Sequence, residues 1–157
     1  PHERPPMSDL PFPDLAEKLG QEVLLTDWVT LDQATIDRFA AATGDHQWIH
    51  VDTARAARES PFGSTIAHGY LTLSLLPRLL EPLFGRIGPR QILNYGCEKV
   101  RFPAPVPVDS RLRGRFVLED LGEGALGSLK CTLGATLEIE DGAKPACVAE
   151  AIFLLFP

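Results

Sequence analysis

Polar, chemically capable side chains crowd one stretch of this sequence. Thr43-Gly44-Asp45-His46-Gln47-Trp48-Ile49-His50-Val51-Asp52 is followed closely by Phe62-Gly63-Ser64-Thr65 and by Ile66-Ala67-His68-Gly69. Three chemistries deserve weighing. The first is metal binding through His46, His50 and His68. Four-residue spacing aims His46 and His50 the same way only on a helix. Gly44 precedes the pair, nothing in the sequence marks a helix through it, and the HExxH pattern is absent, so no metal is expected. The second is nucleophilic catalysis. Cys97, Cys131 and Cys147 fall in strand-like runs, and Ser64 and Ser74 lack a GxSxG elbow. The third is general acid–base work by Asp45 and His50. Their ordinary pKa values bracket the range from about 4 to 6.5, so at neutral pH one is anionic and the other mostly neutral. Either can take a proton from a shared water, and burial can tune both. The plain alternative is a capping Asp and a satisfied buried His.

These residues need elements to hold them. Gln21–Thr30 reads as a first strand. Thr30-x-x-Gln33 has capping-box spacing, and Ile36, Phe39, Ala40 and Thr43 recur at helical intervals, which predicts a helix over Leu31–Ala42 ended by Gly44. Ala54–Arg58 suggests a helical turn and Ser60–Gly63 a loop. Ile66–Phe84 is the most apolar segment, with Leu71, Leu75, Leu79 and Leu83 every four residues. It predicts a helix buried on most sides, kinked or split at Pro77. Strands follow at Gln91–Phe102, Arg111–Asp120, Leu129–Glu140 and Ala146–Phe156. Pro103, Pro105 and Pro107 mark an extended loop that cannot donate to a ladder. Leu129–Glu140 alternates apolar and polar without a break, the pattern of a strand with one wet face. Leu121-Gly122-Glu123-Gly124 and Asp141-Gly142 supply turns. Short turns force antiparallel pairing. The expected fold is α+β: an antiparallel sheet wrapped around one long apolar helix, the hot-dog arrangement. Open sheet edges are a liability, so a homodimer joined edge to edge is expected.

The 157 residues suit one domain, with residues 1–12 as a flexible lead-in and 13–157 as the folded unit. Pro1 to Asp9 is polar and holds three prolines, unlike a signal peptide. Met7 is the sole methionine and a candidate natural start. No apolar run reaches the roughly 18 residues of a membrane span. The formal net charge of −6 argues against nucleic acid, whose partners carry basic stripes. Arg111, Arg113 and Arg115 share one strand face, which is either solvated or a phosphate-facing patch. Three cysteines without a CxxC pair fit buried thiols in a reducing, cytoplasmic setting. Trp28 reads as core.

Phe39-Ala40-Ala41-Ala42-Thr43-Gly44-Asp45, then Ile49-His50 and Ala56, resembles the signature of the MaoC-like family, which contains the (R)-specific enoyl-CoA hydratases. Phe62 to Gly69 resembles the stretch leading into that family's central helix. A weaker likeness runs through Asn94-Tyr95-Gly96 and Val100–Val106, and the NodN-like members are especially similar. The resemblance implies a hot-dog dimer acting on acyl-CoA thioesters without a separate cofactor. It implies that Asp45 and His50 activate water for addition across a trans-2-enoyl-CoA, giving an (R)-3-hydroxyacyl-CoA. It also implies that the Gly69 amide binds the thioester oxygen. Around these it places Gln47, Trp48, Phe62, Gly63, His68, Tyr70, Asn94 and Tyr95 as substrate-contacting positions, with Asn94 and Tyr95 along the acyl pocket. Two departures stand out. Gln47-Trp48 replaces the usual Asn-Pro, which puts acyl preference in question. Pro77 stands near where some members carry a helix serine. Two rival activities follow: a thioesterase on the same fold, for which only Glu81 offers an acid on the central helix, and a non-catalytic acyl-CoA-binding domain.

Overall fold

A computed structural model describes residues 10–157. The lead-in expected over residues 1–12 lies outside them except for its last three positions, where Leu10 and Phe12 pack against the core. A short turn of helix, α1 (Pro13–Ala16), leads to two brief strands, β1 (Glu22–Leu25) and β2 (Val29–Leu31). The single first strand expected over Gln21–Thr30 is therefore interrupted. The chain stays tied to the sheet between the two pieces, where the Thr26 hydroxyl accepts from the Gly114 amide and the Thr26 amide donates to Gly114 O, both at 2.9 Å.

Helix α2 (Gln33–Thr43) follows. Its cap is Asp32 rather than Thr30. The Asp32 carboxylate accepts from the Thr35 amide at 2.9 Å, which satisfies an otherwise orphaned donor. Gln33 is thereby released from capping and does something else, described below. Gly44 closes the helix in the left-handed region, at φ 81°, where a residue without Cβ is at ease. Two short helices come next, α3 (Trp48–Val51) and α4 (Thr53–Glu59).

The apolar segment splits as its proline predicts, into α5 (Gly69–Ser74) and α6 (Leu76–Ile87). Pro77 falls in the first turn of α6, where its missing N–H costs nothing. Pro82 also lies inside α6. Leu71, Leu75, Leu76, Leu79, Leu80, Leu83 and Phe84 form one buried stripe.

That stripe packs on an antiparallel sheet of β3 (Gln91–Arg101), β4 (Ser110–Glu123), β5 (Leu129–Ile139) and β6 (Cys147–Phe156). The strand order is β1-β4-β5-β6-β3, with β2 also pairing β4. β4, β5 and β6 pair in sequence as their short connections demand. β4 extends to Glu123 through the expected Leu121–Gly124 turn, and the chain reverses at Gly124–Ser128, where Gly124 N donates to Ser128 O. β3 does not pair with β4. The proline segment carries the chain across the helix to the far side of the sheet, and β3 lies at the edge against β6.

The alternation predicted for β4 and β5 holds. Leu112, Phe116, Leu118, Leu129, Leu133 and Leu137 face the helices with under 2% exposure. The opposite face is an ion-pair ladder. Arg111 meets Glu140 at 2.9 Å, Arg113 meets Glu138 at 2.6 Å, and Arg115 bridges Glu138 and Glu22. The three arginines are thus spent on carboxylates, which favours the solvated-face alternative over a phosphate patch. Trp28, expected in the core, is half-buried under this ladder, with the Arg113 guanidinium 4.5 Å from its ring centre. Cys131 and Cys147 are buried as expected, but Cys97 is exposed on edge strand β3.

Phe116 is wholly buried between sheet and helix, so Phe116→Ala is expected to lower the unfolding free energy by about 3–5 kcal/mol. Leu126 is 93% exposed, and Leu126→Ser is expected to change it by no more than about 0.5 kcal/mol. Urea unfolding followed by far-UV circular dichroism measures both.

Candidate active site

Two chain segments meet to form the site. One is the Gly44–Val51 turn after α2. The other is the extended run Thr65–His68 that feeds α5. Backbone bonds join them: the Ile66 amide donates to Ile49 O at 3.0 Å. A side-chain bond lies beside it. His50 Nδ1 sits 2.7 Å from the carbonyl oxygen of Ile66. A carbonyl can only accept, so Nδ1 carries the hydrogen and Nε2 keeps its lone pair.

Gln33 locks the joint. Its side-chain amide donates to His50 O at 2.7 Å and to Asp37 Oδ1 at 2.9 Å, and its side-chain oxygen accepts from the Thr65 hydroxyl at 2.5 Å. One residue on α2 thus holds both segments. Sequence reasoning missed this role because the capping-box spacing assigned Gln33 elsewhere. Thr65 is 1% exposed, and a buried hydroxyl seldom goes without a partner.

His50 and His68 are both buried, and their rings stack with centroids 3.9 Å apart. Phe39 covers His68 from another side at 4.9 Å. His68 Nε2 lies 3.0 Å from the main-chain oxygen of Asp45 and 4.0 Å from its carboxylate. The Asp45 side chain itself is 52% exposed. One donor atom from each of Asp45, His50 and His68 lies within 4.8 Å of the others. From the sequence, His46, His50 and His68 are the candidate metal ligands. His46 is exposed and precedes α3, and Asp45 takes its place in the cluster. Carboxylate and imidazole are donor types that divalent ions use. Here two of the four ring nitrogens already face main-chain carbonyls.

Burial pushes the His50 pKa below the usual histidine value. The Ile66 bond and the Asp45 carboxylate oppose that shift, and His68 adds to it. The ring is therefore held neutral, with a free Nε2, at neutral pH. Among the described residues the thiols are poor nucleophiles: burial pushes even the exposed-strand Cys97 thiol above its ordinary value. Burial raises the Cys131 thiol to about 12 and the Cys147 thiol to about 11. Ser64 and Ser74 donate to the carbonyls of Thr65 and Tyr70.

The remaining sequence-predicted positions scatter around this centre. Gly69 opens α5, directly after His68. A Cβ there would come within 2.9 Å of the Phe102 ring. Gln47 is exposed, and its main-chain N–H donates to Asp45 Oδ1 at 3.3 Å. Trp48 is half-buried beneath the Arg55 guanidinium, 4.2 Å from the ring centre. Phe62 and Gly63 are exposed in their loop. Tyr70 is 71% exposed and meets Phe102 edge-on at 6.1 Å. Asn94 and Tyr95 lie on β3. Asn94 lines a separate open groove of about 480 Å³ with Pro77, Glu81, Phe84, Ile92 and Phe153. Tyr95 is 63% exposed.

An antiparallel sheet thus wraps a split helix, and a buried imidazole lies beside an accessible carboxylate at the helix entrance. Residues 14–138 match the MaoC like domain, and the chain belongs to the MaoC-like dehydratase family. It is 54% identical over 142 residues to 3-hydroxyacyl-thioester dehydratase Z of Mycobacterium tuberculosis, covering 88% of this chain and 91% of that protein. It is 46% identical over 157 residues to nodulation protein N of Rhizobium leguminosarum bv. viciae, covering 95% and 93%. The solved (R)-hydratase from A. caviae superposes with TM-score 0.71 at 25% identity, covering 88% of this chain and 96% of that one. The hot-dog fold read from the sequence is the fold of these proteins.

The depressed His50 value has a thermodynamic consequence. Below about pH 6.5 the unfolded chain binds a proton at this position that the folded chain resists. More protons bound in the unfolded state means that stability rises with pH and is lost as pH falls. Unfolding free energy is expected to decrease from pH 6.5 down to the folded-state pKa of His50, and less so in His50→Phe. Histidine NMR titration should place the His50 midpoint below 6.5; a midpoint above it would contradict the burial effect.

Proposed function

We propose that the chain hydrates trans-2-enoyl-CoA to (R)-3-hydroxyacyl-CoA, and runs the dehydration in reverse, with Asp45 and His50 as the acid–base pair. One observation carries this reading. The His50 imidazole is fixed by Ile66 O so that its lone-pair nitrogen remains free, next to a half-exposed carboxylate.

The steps follow from those groups. A water held between Asp45 and His50 Nε2 gives one proton to the ring as its oxygen bonds to C3 of the enoyl group. The C2–C3 π electrons move toward the thioester, and negative charge gathers on its oxygen as an enolate. The Gly69 amide, in the first turn of α5, is one of the helix donors without an intrahelical acceptor and suits that oxygen. The imidazolium, steadied by the Asp45 carboxylate, then returns the proton to C2. One water is consumed and no group is lost, so the reverse path is the dehydration. The names of the relatives, a 3-hydroxyacyl-thioester dehydratase and an (R)-hydratase, support this substrate class.

The thioesterase alternative needs an acid on the central helix at the reacting centre. Glu81 lines the separate groove with Asn94, which weakens that reading. A homodimer is part of the proposal. Among the described residues β3 pairs only with β6, and its free edge carries exposed Leu93 and Tyr95. A second copy pairing there would satisfy the open edge. The cytoplasm suits a protein with free cysteines.

Asp45→Asn and His50→Ala are each expected to lower crotonyl-CoA hydration by about 10²–10⁴-fold, with the sheet's circular dichroism unchanged. Near-native turnover in either would refute the roles. Loss of enoyl absorbance without release of free thiol is expected, and dominant thiol release would favour the thioesterase. Light scattering in line with size exclusion should give twice the chain mass.

A further inference from the structure

From the sequence, His68 is expected among the substrate-contacting positions. Its surroundings say otherwise. It is 2% exposed, so it offers a substrate almost no surface. Its contacts run to the two proposed catalytic residues. Nε2 faces the main-chain oxygen of Asp45 at 3.0 Å, and the ring lies on the ring of His50. Because a carbonyl only accepts, the hydrogen of the ring is on Nε2. Nδ1 then keeps a lone pair, and it is the one fully buried side-chain polar atom without a hydrogen-bond partner among the described residues. An orphaned buried acceptor costs about 1–3 kcal/mol. A residue serving packing alone would be better as Phe or Leu, which leave nothing unsatisfied. The histidine does one thing those cannot: it donates to Asp45 O while filling an aromatic slot against His50.

Asp45 needs that hold. It follows Gly44, where the chain turns through positive φ, and its carboxylate is half in solvent. The Gln47 main-chain amide reaches its carboxylate at 3.3 Å, a longer contact than the 2.7 Å bond from Gln33 to His50 O. We propose that His68 is the positioning residue of the pair: its Nε2–H fixes the Asp45 backbone and its ring sets the face of His50, so that carboxylate and imidazole converge on one water. This rests on the acid–base reading above.

The test uses full-length protein, crotonyl-CoA, and the His68→Ala, His68→Phe and His68→Gln variants. Gln carries its amide nitrogen about as far from Cβ as histidine carries Nε2, so it restores the donor without the ring. Phe restores the ring without the donor. His68→Ala and His68→Phe are expected to lose about 10²-fold in kcat, since a displacement near 1 Å at the reacting groups costs that much. KM is expected to stay within about threefold, as no substrate contact is removed. His68→Gln is expected to recover to within about tenfold of the parent kcat. Rates are compared per folded molecule, by circular dichroism and thermal midpoint, and the Ala–Gln comparison decides even where the Phe variant does not fold. Three results overturn the inference: parental kcat in Ala and Phe, a Gln variant no better than Ala, or a loss carried mainly by KM. Asp45→Asn and His50→Ala run alongside. If those two remain active, the function itself is wrong. If they are inactive while the His68 variants keep full rate, only the positioning role fails.

Discussion

The site depends on one short hydrogen bond between a histidine ring and a backbone carbonyl. His50 Nδ1 reaches Ile66 O across sixteen positions of sequence at 2.7 Å. That contact fixes the tautomer, the direction of the free nitrogen, and the distance between the turn after α2 and the strand-like run before α5. The neighbouring bonds protect it. Ile66 N to Ile49 O and Gln33 to His50 O keep the two segments from sliding, because each uses a different peptide. A ring held by a single flexible contact would sample several rotamers, and the direction of its free nitrogen would be lost.

The rest of the fold is arranged to deliver those two segments. α2 brings Gln33 at its start and Phe39 near its end to the same place. The split helix lets α5 begin at Gly69, directly after His68, while α6 lies along the sheet. A continuous helix from Ile66 would have made Ile66 O an intrahelical acceptor and taken it from His50. The extended run through residue 68 is thus a requirement of the site. Its cause is tertiary: Ala67 N donates to Val106 O, and Val108 N to Thr65 O, so the proline segment holds this run in extended form.

Much of this was legible in the sequence. Period-two alternation located β4 and β5 because one face is dry and the other wet. Length and leucine spacing found the central helix, and Pro77 its break. Asp45 and His50 stood out because a carboxylate and an imidazole five residues apart followed a helix-ending glycine. What the sequence hid were choices between near-equal local options. Asp32 and Thr30 are both good caps, and only the fold shows that Gln33 is needed elsewhere. The strand after the helix looked like the next strand in a meander, since nothing local says that prolines carry the chain across to β6. Three arginines on one face looked free because their carboxylates come from other strands. Trp28 is apolar by type, yet two guanidinium groups cover it at the surface.

Burial of polar groups gives the clearest physical sign of where function sits. Among the described residues five polar or charged side chains are buried: His50, Thr65, His68, Thr72 and Ser128. Thr72 and Ser128 each bond a carbonyl three residues back, at Gly69 and Ala125. Those bonds are local and close a helix turn and a hairpin. The other three are tied together across the fold, by Gln33, by Ile66 O and by ring stacking. Polar burial without full compensation costs free energy, and the exposed ion pairs on the sheet's outer face return little of it. The leucine-rich core must therefore supply the stability that this cluster withdraws. A family of sequences selected for stability alone would replace His68 with a hydrocarbon. His68, buried beside His50 with one nitrogen unpartnered, is the clearest case of such a cost.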